Sequence, residues 1–178
     1  LYGHGRRLHS LFLGGGTPSL VPPSLVEKII EMAEVLFGFE AGIEITLEAN
    51  PTSSEAKNLA EMVTAGVNRF SLGVQSLDDV GLAFLGREHS VAEALAAVDA
   101  ARQLVPRLSI DLIYARTGQD ETAWRAELQS ALSIGLDHMS LYQLTIEPST
   151  GFFTRSRAGE TLVAKDDLAA DLYDMTAD

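Results

Sequence analysis

Five short strand-like runs separated by helical stretches constrain this chain more than any other feature of it. Leu8–Leu13, Ile43–Ala49, Asn68–Gln75, Ser109–Tyr114 and His138–Leu144 read as strands, spaced about 25–40 residues apart. The first helix is predicted from about Pro22 to Phe37, with Leu25, Ile29, Met32, Ala33 and Leu36 on one face. A later one runs from about Val91 to Val105, with Val91, Ala94, Leu95, Val98 and Val105 on one side. Trp124, Leu128, Ala131 and Leu132 line another that Gly135 closes, and Asp166–Met175 begins a last. Ser24 with Glu27, and Thr52 with Glu55, have the spacing of capping boxes. Strands alternating with helices imply right-handed βαβ units and a parallel sheet.

An open doubly wound sheet and a barrel both give this order, and the strand patterning decides between them. A strand covered by helices on both faces reads as a nearly continuous apolar run. Here three strands are apolar on one face only. Ile43, Ile45, Leu47 and Ala49 alternate with Glu44, Thr46, Glu48 and Asn50. Phe70, Leu72 and Val74 alternate with Arg69, Ser71, Gly73 and Gln75, and the fourth strand carries Ser109 and Asp111. An unpaired carboxylate in a dry interior costs several kcal/mol. The polar face is therefore wet, internally paired, or turned to a polar ligand, which favours an α/β fold of the parallel partial-barrel kind. The chain reads as a single domain over residues 1–178, cut at both ends, since the first strand starts at once and the last helix has no cap.

Charge and composition exclude several functions. Thirteen Lys and Arg stand against 25 Asp and Glu, a formal net charge of −12 that repels a phosphate backbone and argues against nucleic acid as partner. No apolar run approaches the roughly 20 residues of a transmembrane helix. Leu1–Arg7 has no secretory pattern, so a cytoplasmic location is expected. There is no cysteine, and His4, His9, His89 and His138 lack zinc-ligand spacing.

Ligands of such sheets sit where the strands end. Gly14-Gly15-Gly16-Thr17-Pro18 follows the first strand, Glu48 and Gln75 close the second and third, and Asp111 lies in the fourth. Consecutive glycines let backbone groups approach a ligand closely, or simply make a flexible turn. Glu48 can accept from an ammonium group, and Gln75 and Asp111 can bond ribose hydroxyls, unless all three belong to an internal polar network. Arg87 can fork onto a carboxylate or pair at the surface with Glu88 or Glu93. An amino-acid nucleoside satisfies the whole set.

Six blocks in order carry a resemblance: LFLGGGTPSL (Leu11–Leu20), EITLEANP (Glu44–Pro51), GVNRFSLGVQSL (Gly66–Leu77), LGREHS (Leu85–Ser90), DLIY (Asp111–Tyr114) and HMSLYQLTIEP (His138–Pro148). Together they resemble HemW-like radical S-adenosylmethionine proteins, a group that includes oxygen-independent coproporphyrinogen III oxidase. The resemblance implies a partial (β/α)₆ TIM-like barrel, incomplete at its N-terminal strand. It also implies S-adenosylmethionine as cofactor, its ammonium met by the Gly15-Gly16-Thr17 backbone and its carboxylate by Arg87. Glu48, Gln75 and Asp111 line the methionyl and ribose portions.

Members of the group carry a CxxxCxxC motif for a [4Fe-4S] cluster upstream of GGGTP, and this chain has none, so the cluster is expected in a full-length protein only. Ala115-Arg116-Thr117 stands where Gly-Leu-Pro is usual, and Ser149 where Gly is usual. The resemblance implies a heme chaperone that binds heme and passes it to an acceptor protein. The alternatives are radical decarboxylation of a porphyrinogen and a cofactor-free barrel domain.

Overall fold

The computed structural model describes residues 7–52, 55 and 58–177. The stretch read as lacking a secretory signal, apart from Arg7, and residues 53, 54, 56, 57 and 178 lie outside the described residues. The strands are β1 (Leu8–Leu13), β2 (Phe39–Ala49), β3 (Arg69–Gln75), β4 (Arg107–Tyr114) and β5 (His138–Gln143), forming one sheet in the order β1-β2-β3-β4-β5. The helices are α1 (Pro23–Phe37), α2 (Leu59–Thr64), α3 (Asp79–Phe84), α4 (Val91–Arg102), α5 (Glu121–Ser133), α6 (Gly151–Arg157) and α7 (Asp166–Ala177), with a 3₁₀ turn at Pro18–Leu20. Strand order following chain order, with a helix after each strand, is the arrangement of a partial (β/α) barrel. By contact the chain divides into two compact units, Leu1–Val74 with Ala92–Ile110 and Gln75–Val91 with Asp111–Asp178.

In the first unit β1, β2 and β3 pair in parallel. The register sets Leu47 against Phe70 and Ala49 against Leu72, all buried, and Glu48 against Ser71 on the opposite face. Val26 and Ile30 of α1 and Leu59 and Met62 of α2 are also buried in this unit. The turn from α2 into β3 is a Schellman motif: Gly66, at φ 109°, donates to the Val63 carbonyl and Val67 to that of Met62. It delivers Asn68 against β2, where its side chain accepts from Ile45 N–H and donates to the Ile43 carbonyl, both at 2.8 Å.

In the second unit Trp124 of α5 is fully buried, stacked on Tyr114 with ring centroids 5.0 Å apart, and donates to Thr176 of α7 at 2.8 Å. Burial raises the Tyr114 pKa, as does Tyr173, while the Thr176 bond opposes it. Residues 162–164 form an antiparallel bridge beside the end of β4, with Ala164 N–H to the Ala115 carbonyl at 2.8 Å and Thr117 N–H to that of Leu162 at 3.0 Å.

Several local expectations are corrected. The helix α1 buries Val26 and Ile30, whereas Leu25, Ile29, Met32 and Leu36, expected on the core face, are exposed. Ser24, Glu27, Lys28, Glu31 and Glu34 gather on one side of this helix, and the apolar arc opposite is wider than the strip that Val26 and Ile30 bury, so periodicity marks the apolar side without choosing which part of it packs. Ser24 and Glu27 make no capping box; α1 starts on Pro23, whose missing N–H is an orphan at a helix start anyway. The helix α4 ends at Arg102, leaving Val105 beyond it, and Leu132 of α5 is exposed. The short helices α3 and α6 span fewer than two turns each, too little for periodicity to register.

Candidate functional site

In the first unit the loop after β1 and the end of β2 meet. Gly15 and Gly16 have left-handed backbones, φ 85° and 63°, that residues with a Cβ adopt only under strain. Glu48 accepts a 3.0 Å hydrogen bond from Gly15 N–H. A Cβ on Gly14 would lie 2.8 Å from the same carboxylate oxygen, so the side-chain-free residue lets Glu48 close on the loop. Two of the expected residues, Gly15 and Glu48, are thus in direct contact. Neither Gly15 nor Gly16 has any atom within 4 Å of where a Cβ would stand. Thr17 precedes the 3₁₀ turn and accepts from Leu20 N–H through its carbonyl.

Beneath this loop is a carboxylate that the sequence suggested only as a helix cap. Glu55 is buried, accepts from the buried Ser19 hydroxyl, and takes Asn50 N–H at 2.9 Å and the Asn50 amide at 3.1 Å. Thr52 receives Glu55 N–H at 3.3 Å, one half of the expected capping box. Glu55 therefore ties the loop after β1 to the loop after β2. The rest of the polar face in this unit is paired. Glu44 bonds Arg69 at 2.8 Å and also pairs with Arg107, and Ser109 donates to Ser71 at 3.0 Å. Burial tends to raise the Glu44 pKa, but the Arg69 hydrogen bond and the charges of Arg69 and Arg107 bring it below its ordinary value.

In the second unit Gln75 ends β3 with a left-handed backbone, φ 69°. For a residue with a Cβ this costs about 1–2 kcal/mol and persists only where the surroundings enforce it. Arg87 is placed by a second Schellman motif, Gly86 N–H to the Ala83 carbonyl and Arg87 N–H to that of Leu82. Its Nε is buried without a hydrogen-bond partner, and burial lowers its pKa. A buried guanidinium donor left unpaired costs more than an ordinary polar group and is matched by a planar anion. The surface ion pair considered from sequence does not occupy Nε. Asp111 is half-buried in β4 and has an interaction partner.

The residue that sequence reasoning missed altogether is Glu127 of α5. It is buried, with Oε1 accepting from the Ser76 hydroxyl at 2.5 Å and Leu77 N–H at 2.8 Å. Its Oε2 takes Arg116 Nη2 at 3.0 Å and Gln119 Nε2 at 3.1 Å. A signal existed: Trp124, Glu127 and Ala131 share one helical face, so a charge sat at core spacing. Ala115 and Ser149, which stand where the resemblance expects Gly, have φ of 61° and 68°. The geometry explains why Gly is usual there.

A thiolate-bound cluster does not fit the residues present, since the sequence has no cysteine. Among the described residues no group of three or more His, Asp or Glu could hold a metal ion, and no helix is long and apolar enough to cross a membrane. In the second unit Arg87 has an unmet donor that suits a carboxylate, and in the first Gly15 and Gly16 leave open space beside their backbone.

The radical SAM superfamily model matches residues 2–131. The chain is 46% identical over 170 residues to a mouse protein named radical S-adenosyl methionine domain-containing protein 1, mitochondrial, covering 94% of this chain and 38% of that one. It is 41% identical over 151 residues to the heme chaperone HemW of Haemophilus influenzae, covering 84% of this chain and 39% of the relative. The structure of coproporphyrinogen III oxidase from Escherichia coli, a radical SAM enzyme, superposes with a TM-score of 0.78 at 25% identity, covering 97% of this chain and 40% of that one. The chain thus spans about two fifths of the length of these relatives. Its parallel sheet in chain order, its glycine loop closed by Glu48 and these likenesses agree: the chain belongs to the radical SAM superfamily and is HemW-like within it.

Proposed function

We propose that this chain is the S-adenosylmethionine-binding part of a heme chaperone, a protein that binds heme and delivers it to an acceptor protein. The observation that carries the cofactor reading is Arg87, whose buried Nε lacks a partner that a carboxylate supplies. In the first unit the Gly15-Gly16-Thr17 backbone and Glu48 take the ammonium end of the ligand. In the second, Arg87 takes its carboxylate, and Gln75 and Asp111 its ribose hydroxyls. S-adenosylmethionine, when bound, would supply the 5′-deoxyadenosyl group for the radical chemistry that gives the superfamily its name, and the residues here would bind and orient it. Heme delivery rests on the likeness to HemW. A cytoplasmic location belongs to the same reading, although the mouse relative's name carries the word mitochondrial.

The test is equilibrium binding of S-adenosylmethionine to the protein expressed from its complete gene, purified without oxygen. Arg87→Met is expected to weaken binding roughly tenfold to a hundredfold, the worth of a charge-assisted hydrogen bond. No binding by the parent protein would leave the cofactor-free reading. The likeness to coproporphyrinogen III oxidase favours a second function, radical decarboxylation of porphyrinogen propionates. Heme loading without porphyrinogen turnover supports the chaperone, and turnover supports the oxidase.

A further inference from the structure

Gln75 and Ala115 are strained residues at the ends of adjacent strands in chain order, and each is followed at once by a member of one buried network. Ser76 follows Gln75 and Arg116 follows Ala115. Glu127 holds Ser76 and Leu77 through one carboxylate oxygen and Arg116 through the other. Arg116 also donates to the Ile113 carbonyl at 2.8 Å, so the guanidinium spans its own strand end. Both ion-pair partners are about 6% exposed. Ser76 in turn accepts from Asp78 N–H at 3.1 Å, and Asp78 caps α3 by accepting from Val80 and Gly81 N–H. The packing at this point leaves no slack. A Cβ on Gly81 would stand 2.6 Å from Ser76 Oγ and 2.9 Å from Arg116 Cζ.

A left-handed residue with a side chain persists only where its neighbours over-determine it. On that ground we infer that Glu127, with Arg116, is a positioning residue for Gln75: it pins the two residues after Gln75 to α5 and so fixes the backbone from which Gln75 reaches the ribose. The inference rests on the proposed role of Gln75 as a ribose ligand. Glu127 itself touches no ligand. It acts through the strand end at Ser76 and Leu77, so its loss is expected to fall on the contact made by Gln75.

The experiment is a double-mutant cycle on the protein expressed from its complete gene, reading affinity for S-adenosylmethionine and for its 2′,3′-dideoxy analogue. One variant is Gln75→Ala. The other is the paired replacement Arg116→Met with Glu127→Met, which keeps volume and leaves no buried charge alone. Each is expected to weaken S-adenosylmethionine by about tenfold, the worth of one hydrogen bond, and neither to weaken the dideoxy analogue. Combined, they weaken it no further than either alone.

Additive losses, or equal losses for both ligands, would mean that the network supports the fold only, and the inference falls. Loss with Gln75→Ala but none with the paired variant overturns the inference while sparing the role of Gln75. No loss with Gln75→Ala overturns that role and the inference with it. If the paired variant melts before binding can be read, Glu127→Gln replaces it, and the same pattern is required.

Discussion

The two units handle left-handed backbone differently. In the first, each described residue with positive φ is glycine: Gly15, Gly16, Gly38, Gly42 and Gly66. In the second, Gln75, Ala115 and Ser149 take that conformation with a side chain attached. Each unit also buries a carboxylate that latches a loop following a strand. Glu55 does so with neutral partners, Ser19 and Asn50, whereas Glu127 does so opposite a buried guanidinium. The comparison teaches that strained backbone at the strand ends sits beside a charged network able to hold it, while strain in an exposed loop does without one. Gln75 and Ala115 adjoin that network, and Ser149, which does not, lies exposed in a loop.

The largest effect should separate the two latches. Glu127→Ala leaves Arg116 buried and unpaired and is expected to destabilise by about 3–5 kcal/mol. Glu55→Ala strands only neutral donors and should cost about 2–3 kcal/mol. Urea unfolding of the two variants checks the order, and a larger loss at Glu55 breaks the comparison. Adding Arg116→Met to a Glu127→Met background should recover stability, whereas no partner substitution is expected to do so for Glu55.

A smaller effect tests unsupported strain. Ser149→Gly removes a Cβ from a left-handed position that no buried network enforces, so it should stabilise by about 0.5–1 kcal/mol after the entropy of glycine is allowed for. A melting temperature that falls would show that Ser149 is held by contacts of its own.

The smallest effect concerns the paired face of the first unit. The pKa of Glu44 is held below its ordinary value of 4.5 by Arg69 and Arg107 against the opposing effect of burial. The stability it contributes is therefore present above that value and lost as pH falls through the lowered one. Glu44→Gln should remove that part of the acid-side slope and cost under about 1 kcal/mol at neutral pH, because Arg107 is largely exposed. Unchanged acid unfolding would mean that the ion pair carries no net stability.

Much of this was legible in the sequence, for a reason particular to the strands. Their period of two leaves no choice of face once one side is apolar, so Ile45 and Leu47 had to be core, and Glu44, Arg69 and Ser109 had to find one another or a ligand. The GGGTP loop was legible too, since only glycine takes the backbone found at Gly15 and Gly16 without strain. Ala115 and Ser149 stand in the sequence where Gly is usual, and their φ angles of 61° and 68° give the reason.

What the sequence determined by itself is the parallel βα order, the apolar side of the second, third and fourth strands and the membership of the superfamily, because these are local periodicities and ordered motifs. The tertiary structure alone decided which face of α1 is buried, that Glu55 and Glu127 are interior latches, and that Arg87 keeps a donor unmet. Each of these depends on what residues distant in the chain bring to one place. A helix whose apolar arc is wider than the strip it buries, or a carboxylate at core spacing, reads the same in sequence whether its partner is water or a buried Arg116.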